Sequence, residues 1–289
     1  MALERVGVLG GGLMGSGIAE SVARAGIPVT VRDIDEAAID SARVRIETSV
    51  GHAVSRGKVE QDEGEEILER IDFTVELEQM AGTDLVIEAV PENAELKAGI
   101  LAQVAGIVAE DTLIASNTSS IPIAQLAARI PSPDRVLGLH FFSPVPVMKL
   151  VEVVSSLDTS EETVAAANEF AERIGKRAIV TKDRSGFIVN MLLVPYLMAA
   201  MRMYEEGFAS AEDIDEGMRL GCGHPMGPLA LSDMIGLDVL YSVCDSIYEE
   251  FKRTEYAPPP LLKRMVASGR NGRKAGRGFY EYERERQPA

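Results

Sequence analysis

Short apolar runs alternate with longer stretches of helical spacing through the first half of the chain. The apolar runs are Arg5 to Leu9, Pro28 to Arg32, Asp72 to Val75, Leu85 to Val90, Leu113 to Ser116 and Val136 to His140. Each holds four to six residues rich in Val, Ile and Leu, which is the length and composition of a buried strand. Between them, Leu13 to Ala25, Glu36 to Arg56 and Glu95 to Val108 repeat their apolar positions every three to four residues, the mark of an amphipathic helix. Alternation of this kind predicts a parallel sheet with helices on both faces.

The pattern changes after about Lys182. Phe187 to Glu206, Ser210 to Leu220, Leu229 to Phe251 and Leu261 to Ala267 all carry helical spacing. Ser210, with Asp213 three residues on, predicts an N-cap, and Gly207 a C-terminal stop for the helix before it. A boundary therefore falls between residues 183 and 188. The expected division is a sheet-containing domain over 1–185 and a helical domain over 186–289. The fold class expected is α/β: a mostly parallel sheet with a C-terminal all-helical domain. Glu283 to Ala289 is charged and reads as a frayed tail.

The strand ending at Leu9 opens into Gly10, Gly11, Gly12, Leu13, Met14 and Gly15, and a helix follows. This is Gly-x-Gly-x-x-Gly in strand–loop–helix context, which makes the expected sheet Rossmann-type and the domain over 1–185 dinucleotide-binding. Gly10 permits the tight turn, Gly12 admits a pyrophosphate to the backbone, and Gly15 lets helix and strand pack closely. The helix N-terminus adds amide donors around Leu13 and Met14 and a positive partial charge. Asp33 closes the second strand, 18 residues after Gly15. A carboxylate there accepts bonds from the adenosine ribose hydroxyls and repels a 2′-phosphate, which predicts NAD. Arg32, directly before it, leaves NADP open.

Composition narrows the function classes. The 289 residues carry a net charge of -16, which disfavours nucleic acid as a partner. No apolar run is long enough to predict a membrane span. Cys222 and Cys244 form no metal-ligand pattern and are expected as buried free thiols in a cytoplasmic protein.

Three histidines occur. His52 lies in a polar helix and is expected at the surface. His140 ends a strand, where ligands bind in an open parallel sheet. With an ordinary pKa of about 6.5, it suits the proton transfer that accompanies oxidation of an alcohol. Glu152, 12 residues on, reaches His140 if a strand returns beside the first. Ser116 to Ser120, also at a strand end, fits either a helix cap or a set of donors to a substrate.

Assembled, these residues resemble the L-3-hydroxyacyl-CoA dehydrogenase family, and within it the short bacterial 3-hydroxybutyryl-CoA dehydrogenases. The resemblance runs from Val6 to Tyr282. It is carried by the glycine loop, Ser116 to Ser120, His140 to Pro146, Asp183 to Asn190, His224 to Pro228 and Gly276 to Tyr280. It implies His140 as the catalytic base, Glu152 as its partner, and Ser119 and Asn190 as contacts to the reacting substrate oxygens. It implies Glu92, Lys97 and Lys274 at the cofactor, and Ser49 and Arg56 at coenzyme A. Ser143 stands where the family usually carries Asn, so a modest effect on nicotinamide positioning is expected. The resemblance also implies that 186–289 is a substrate and dimerisation domain forming a homodimer, although its Leu192, Leu193, Tyr196, Leu197 and Met198 otherwise read as core. The reaction implied is reversible oxidation of a short-chain (S)-3-hydroxyacyl-CoA by NAD. Two other readings keep the fold: a dehydrogenase of a 3-hydroxy acid or sugar acid lacking coenzyme A, and a cofactor-binding protein without turnover.

Overall fold

The computed structural model describes residues 3–282, so the charged tail from Glu283 lies outside the described residues. The chain divides into two compact units, the first ending at Arg184 and the second beginning at Ser185.

The first unit is built on an eight-stranded sheet. Its strands are β1 (Val6–Leu9), β2 (Val29–Arg32), β3 (Ile71–Thr74), β4 (Leu85–Glu88), β5 (Leu113–Ser116), β6 (Val136–Phe141), β7 (Leu150–Ser155) and β8 (Arg177–Lys182). They lie in the order β3-β2-β1-β4-β5-β6-β7-β8. The six strands read from sequence all pair in parallel. The sheet is not wholly parallel, however, because β7 returns antiparallel to β6. The central strands β1, β4, β5 and β6 are buried along their whole length, which explains their unbroken apolar runs. Order reverses between β1 and β4, and that crevice at the carboxyl ends is where open α/β sheets bind ligands.

Six helices accompany the sheet: α1 (Leu13–Arg24), α2 (Glu36–Ser55), α3 (Gln61–Glu69), α4 (Ala94–Ala105), α5 (Ile123–Ala127) and α6 (Glu161–Arg173). Short polar residues start several of them. Asp35 accepts from Ala38 N, Asn93 from Leu96 N and Ser160 from Thr163 N. Each such cap contributes about 1 kcal/mol. Helix α5 is capped differently. Asp183 accepts from Ile123 N and Ala124 N, each at 2.8 Å. The Ser116 to Ser120 cluster is thus not the cap of that helix, and its polar groups serve elsewhere.

The second unit is helical, with no strand among its described residues: α7 (Val189–Glu205), α8 (Ala211–Cys222), α9 (Pro228–Ile235), α10 (Leu237–Phe251) and α11 (Pro260–Ala267). Ser210 caps α8 through Asp213 N, and Gly207 follows α7 with φ +68°. The single helix expected from Leu229 to Phe251 is two helices. Gly236, at φ +104°, turns the chain between α9 and α10, and only glycine adopts that backbone without strain. Cys244 is buried, and burial pushes its thiol up to about 12. Cys222 is exposed, against expectation, because it sits on the last turn of α8 with no core beneath it. Among the described residues no helix is long and apolar enough to cross a membrane.

Candidate active site

Gly10 N donates to Arg32 O at 2.8 Å, so the loop leaves β1 pinned to β2. Gly10 has φ +93°, and a Cβ on Gly15 would stand 1.8 Å from Gly10 O. Both glycines are demanded by the loop itself. Gly12 is not: its φ is -65°, and an added Cβ would meet nothing within 4 Å. The space over Gly12 is open, and helix α1 starts there with no side-chain cap and no acidic residue in its first turn. Open space, free helical amides and an absent negative charge fit a pyrophosphate. Asp33 stands at the rim, accepting from Gly11 N and Ile34 N at 2.7 Å each. Arg32 is held by a bond from its Nε to Val75 O at 3.1 Å. Sequence inspection overlooked Arg45, whose Nη1 donates to Gly11 O at 3.1 Å from the polar face of α2. The residues present fit a dinucleotide at this loop.

Three strands further along, the antiparallel register sets His140 opposite Glu152. The His140 Nδ1 to Glu152 Oε2 distance is 2.6 Å, and both side chains are buried. The Phe142 ring lies against the imidazole, centroids 4.6 Å apart. A carboxylate only accepts, so the ring hydrogen on Nδ1 points at Glu152 and leaves Nε2 as the basic nitrogen. The next residue ties this strand to its neighbour, since Phe141 N donates to Asn117 Oδ1 at 2.9 Å.

Ser116 to Ser120 leaves the end of β5 between the glycine loop's strand pair and His140. One oxygen of Glu92 collects three donors there: Thr118 Oγ1 at 2.5 Å, Ser120 Oγ at 3.0 Å and Ser119 N at 3.1 Å. Its other oxygen is 3.2 Å from Lys97 Nζ. Burial raises the Glu92 pKa, but the charge of Lys97 and the donors from Thr118 and Ser119 outweigh it and hold the group below its ordinary value. Lys97 is 1% exposed, so it is enclosed by protein groups and does not present its ammonium on the surface. Its Nζ also donates to Val90 O at 3.1 Å and to Glu88 Oε1 at 2.7 Å. For Glu88, burial dominates over Lys97 and the donors of Ser116 and Val90, and the pKa is raised.

Ser49 is half-buried and Arg56 exposed, on α2 and at its C-terminal end. Ser143 is exposed after β6. Asn190, at the start of α7, and Lys274 belong to the second unit. Lys274 pairs with Asp238 at 2.7 Å. The Gly276 to Tyr280 motif is anchored by framework carboxylates. Asp215 accepts from Leu229 N, Ala230 N and Tyr280 Oη, and Asp233 from Phe279 N, Tyr280 N and Tyr282 Oη. These two buried carboxylates fasten the segment around Gly276 to Tyr280 onto α8 and α9.

Residues 5–184 match the NAD binding domain of 3-hydroxyacyl-CoA dehydrogenase, and residues 186–282 match its C-terminal domain. The chain belongs to the 3-hydroxyacyl-CoA dehydrogenase family. It is 52% identical over 283 residues to a 3-hydroxybutyryl-CoA dehydrogenase of Mycobacterium tuberculosis, covering 97% of this chain and 99% of that one. The mitochondrial hydroxyacyl-coenzyme A dehydrogenase of Sus scrofa is 41% identical, over 97% of this chain and 91% of its own. The crystal structure of (S)-3-hydroxybutyryl-CoA dehydrogenase from Ralstonia eutropha superimposes with a TM-score of 0.94 at 44% identity, over 98% of this chain and all of that one. The first unit is thus the family's NAD-binding domain, and the glycine loop's geometry agrees with it.

Proposed function

We propose that this family member catalyses the reversible oxidation of a short-chain (S)-3-hydroxyacyl-CoA to the 3-ketoacyl-CoA. The single observation that carries the chemistry is the buried His140–Glu152 pair at the carboxyl end of β6. Bound NAD supplies the hydride acceptor. His140 Nε2 takes the hydroxyl proton as the carbonyl forms, and Glu152 stabilises the imidazolium produced. In reduction His140 returns that proton to the new hydroxyl. Ser119 and Asn190 are assigned the contacts to the substrate oxygens, on the family motifs that hold them.

The glycine loop, with Gly10, Gly12, Leu13, Met14 and Gly15, is assigned the pyrophosphate, and Asp33 the adenosine ribose. Glu92 is assigned a place at the nicotinamide end. Lys97 serves there through Glu92, because it is enclosed. Ser143 and Lys274 keep the cofactor roles that the family pattern gives them. Ser49 and Arg56 are assigned coenzyme A, an anion that a chain of charge -16 meets through a local cation. Unpaired Cys222 and Cys244 suit a reducing, cytoplasmic setting.

The deciding assay follows NADH oxidation with acetoacetyl-CoA, longer 3-ketoacyl-CoAs and free acetoacetate, and repeats the first with NADPH. Expected are turnover of acetoacetyl-CoA at about 1–1000 per second and a kcat/KM at least about 100-fold lower for free acetoacetate, since two polar contacts to coenzyme A are lost. NADPH is expected to be at least about tenfold poorer, because Asp33 repels its 2′-phosphate. Binding of NADH without oxidation by any 3-ketoacyl-CoA would leave a cofactor-binding protein without turnover.

A homodimer through the helical unit is also proposed. The apolar stripe on α7 splits: Leu197 and Met198 are core, but Leu192 is 73% exposed. Phe208 and Leu220, at 77% and 75%, add exposed apolar surface to the same unit. Such surface is costly in water and marks protein contacts. Light scattering at micromolar concentration is expected to give twice the chain mass, and a monomer would overturn the assignment.

A further inference from the structure

Glu88 closes a strand that reads as plain apolar sequence, and its side chain is completely buried. It accepts three bonds: Val90 N and Lys97 Nζ on one oxygen, both at 2.7 Å, and Ser116 Oγ on the other at 2.6 Å. Ser116 Oγ accepts in turn from Thr118 N at 3.2 Å. Following the bonds gives a closed circuit: Glu88 to Lys97, Lys97 to Glu92, Glu92 to Thr118, Thr118 to Ser116, and Ser116 back to Glu88. Ser119 hangs on this circuit by its amide, which donates to Glu92.

A buried ion pair returns little net stability compared with apolar side chains of the same size. What it does provide is direction. Lys97 is shared between two carboxylates, so moving either one moves the ammonium and then the other. Glu88 is the end of the circuit that touches the sheet framework, and Glu92 the end that touches the Ser116 to Ser120 segment.

We infer that Glu88 is a positioning residue: through Lys97 and Ser116 it fixes Glu92 and so sets where Ser119 stands. The inference rests on the assignment of Ser119 to the substrate above. Glu88 touches no ligand itself, being covered on every side.

The test compares Glu88→Gln, Ser119→Ala and the double variant in acetoacetyl-CoA reduction, with Tm and hydrogen exchange measured on each. Glu88→Gln keeps the shape and leaves Lys97 paired with Glu92. It is expected to lower kcat/KM about tenfold alone but less than about twofold in the Ser119→Ala background, because the two share one route. The Tm change it causes is expected to be the same in both backgrounds. Amides over 116–121 are expected to exchange faster in Glu88→Gln. Multiplying losses in the double variant, or unchanged exchange over 116–121, would overturn the inference. If Glu88→Gln fails to fold, Ser116→Ala breaks the same circuit and carries the same comparison. Should the unaltered protein not turn over acetoacetyl-CoA, the assigned reaction fails, while hydrogen exchange still decides whether Glu88 holds the segment.

Discussion

Replacing His140 with Gln is expected to lower kcat for acetoacetyl-CoA reduction by about a thousandfold, within the range that general acid–base catalysis contributes. Gln has nearly the reach of His and keeps a donor toward Glu152, so the buried carboxylate retains a partner. What is lost is the ring nitrogen that takes the hydroxyl proton and returns it. NADH affinity is expected to stay within about twofold, since His140 lies on β6 and the glycine loop follows β1, with β4 and β5 between them. Loss of turnover with binding kept separates chemistry from folding. A variant with near-normal kcat would remove His140 from the reaction and leave its bond to Glu152 a structural one. Glu152→Gln is the companion variant: an amide donates as well as accepts, so it neither holds the ring hydrogen on Nδ1 nor stabilises the imidazolium. A loss comparable to that of His140→Gln is expected there.

The parallel half of the fold was legible because its rules are local. A strand buried on both faces writes itself as an apolar run, and β1, β4, β5 and β6 do so. The glycine loop was legible for the same reason. Strand β8 was not, because most of its side chains are exposed and leave no apolar signature. The break at Gly236 was hidden inside an apolar helical pattern, where one glycine is ordinarily tolerated. His140 could be chosen by its place at a strand end, but Glu152 needed a register. Only an antiparallel return puts residues 12 apart face to face, and strand spacing alone does not fix the direction of pairing. Glu88 left no sign at all. A single Glu in an apolar run reads as a strand-end charge bound for water, and its partners lie 9 and 28 residues away. Asp215 and Asp233 were missed for the same reason, each looking like a solvated residue on a helix. Polar residues whose work is inside the protein are invisible until the fold brings their partners to them.

Two glycines of one loop are expected to behave in opposite ways when changed to Ala. At Gly15 the new Cβ would lie 1.8 Å from Gly10 O and 2.9 Å from Gly10 C, both backbone atoms of a turn pinned to β2. Neither can yield without moving the loop off β1. Overpacking of this kind costs about 1–3 kcal/mol, so Tm of the cofactor-free protein is expected to fall by several degrees, roughly 2–10 °C. At Gly12 the Cβ meets nothing, and φ of -65° suits any residue. The cofactor-free Tm is therefore expected to stay within about 2 °C for Gly12→Ala, in line with a substitution that touches no neighbour. Its NADH affinity is nevertheless expected to weaken by about 10- to 100-fold, or 1.4–2.8 kcal/mol. The methyl group enters the space where a pyrophosphate reaches the amides opening α1. No property of the folded chain by itself calls for glycine at position 12, so a ligand is what the position answers to. Calorimetric titration with NADH and a thermal melt without it decide the matter. Wild-type affinity in Gly12→Ala would mean that the pyrophosphate does not lie over Gly12.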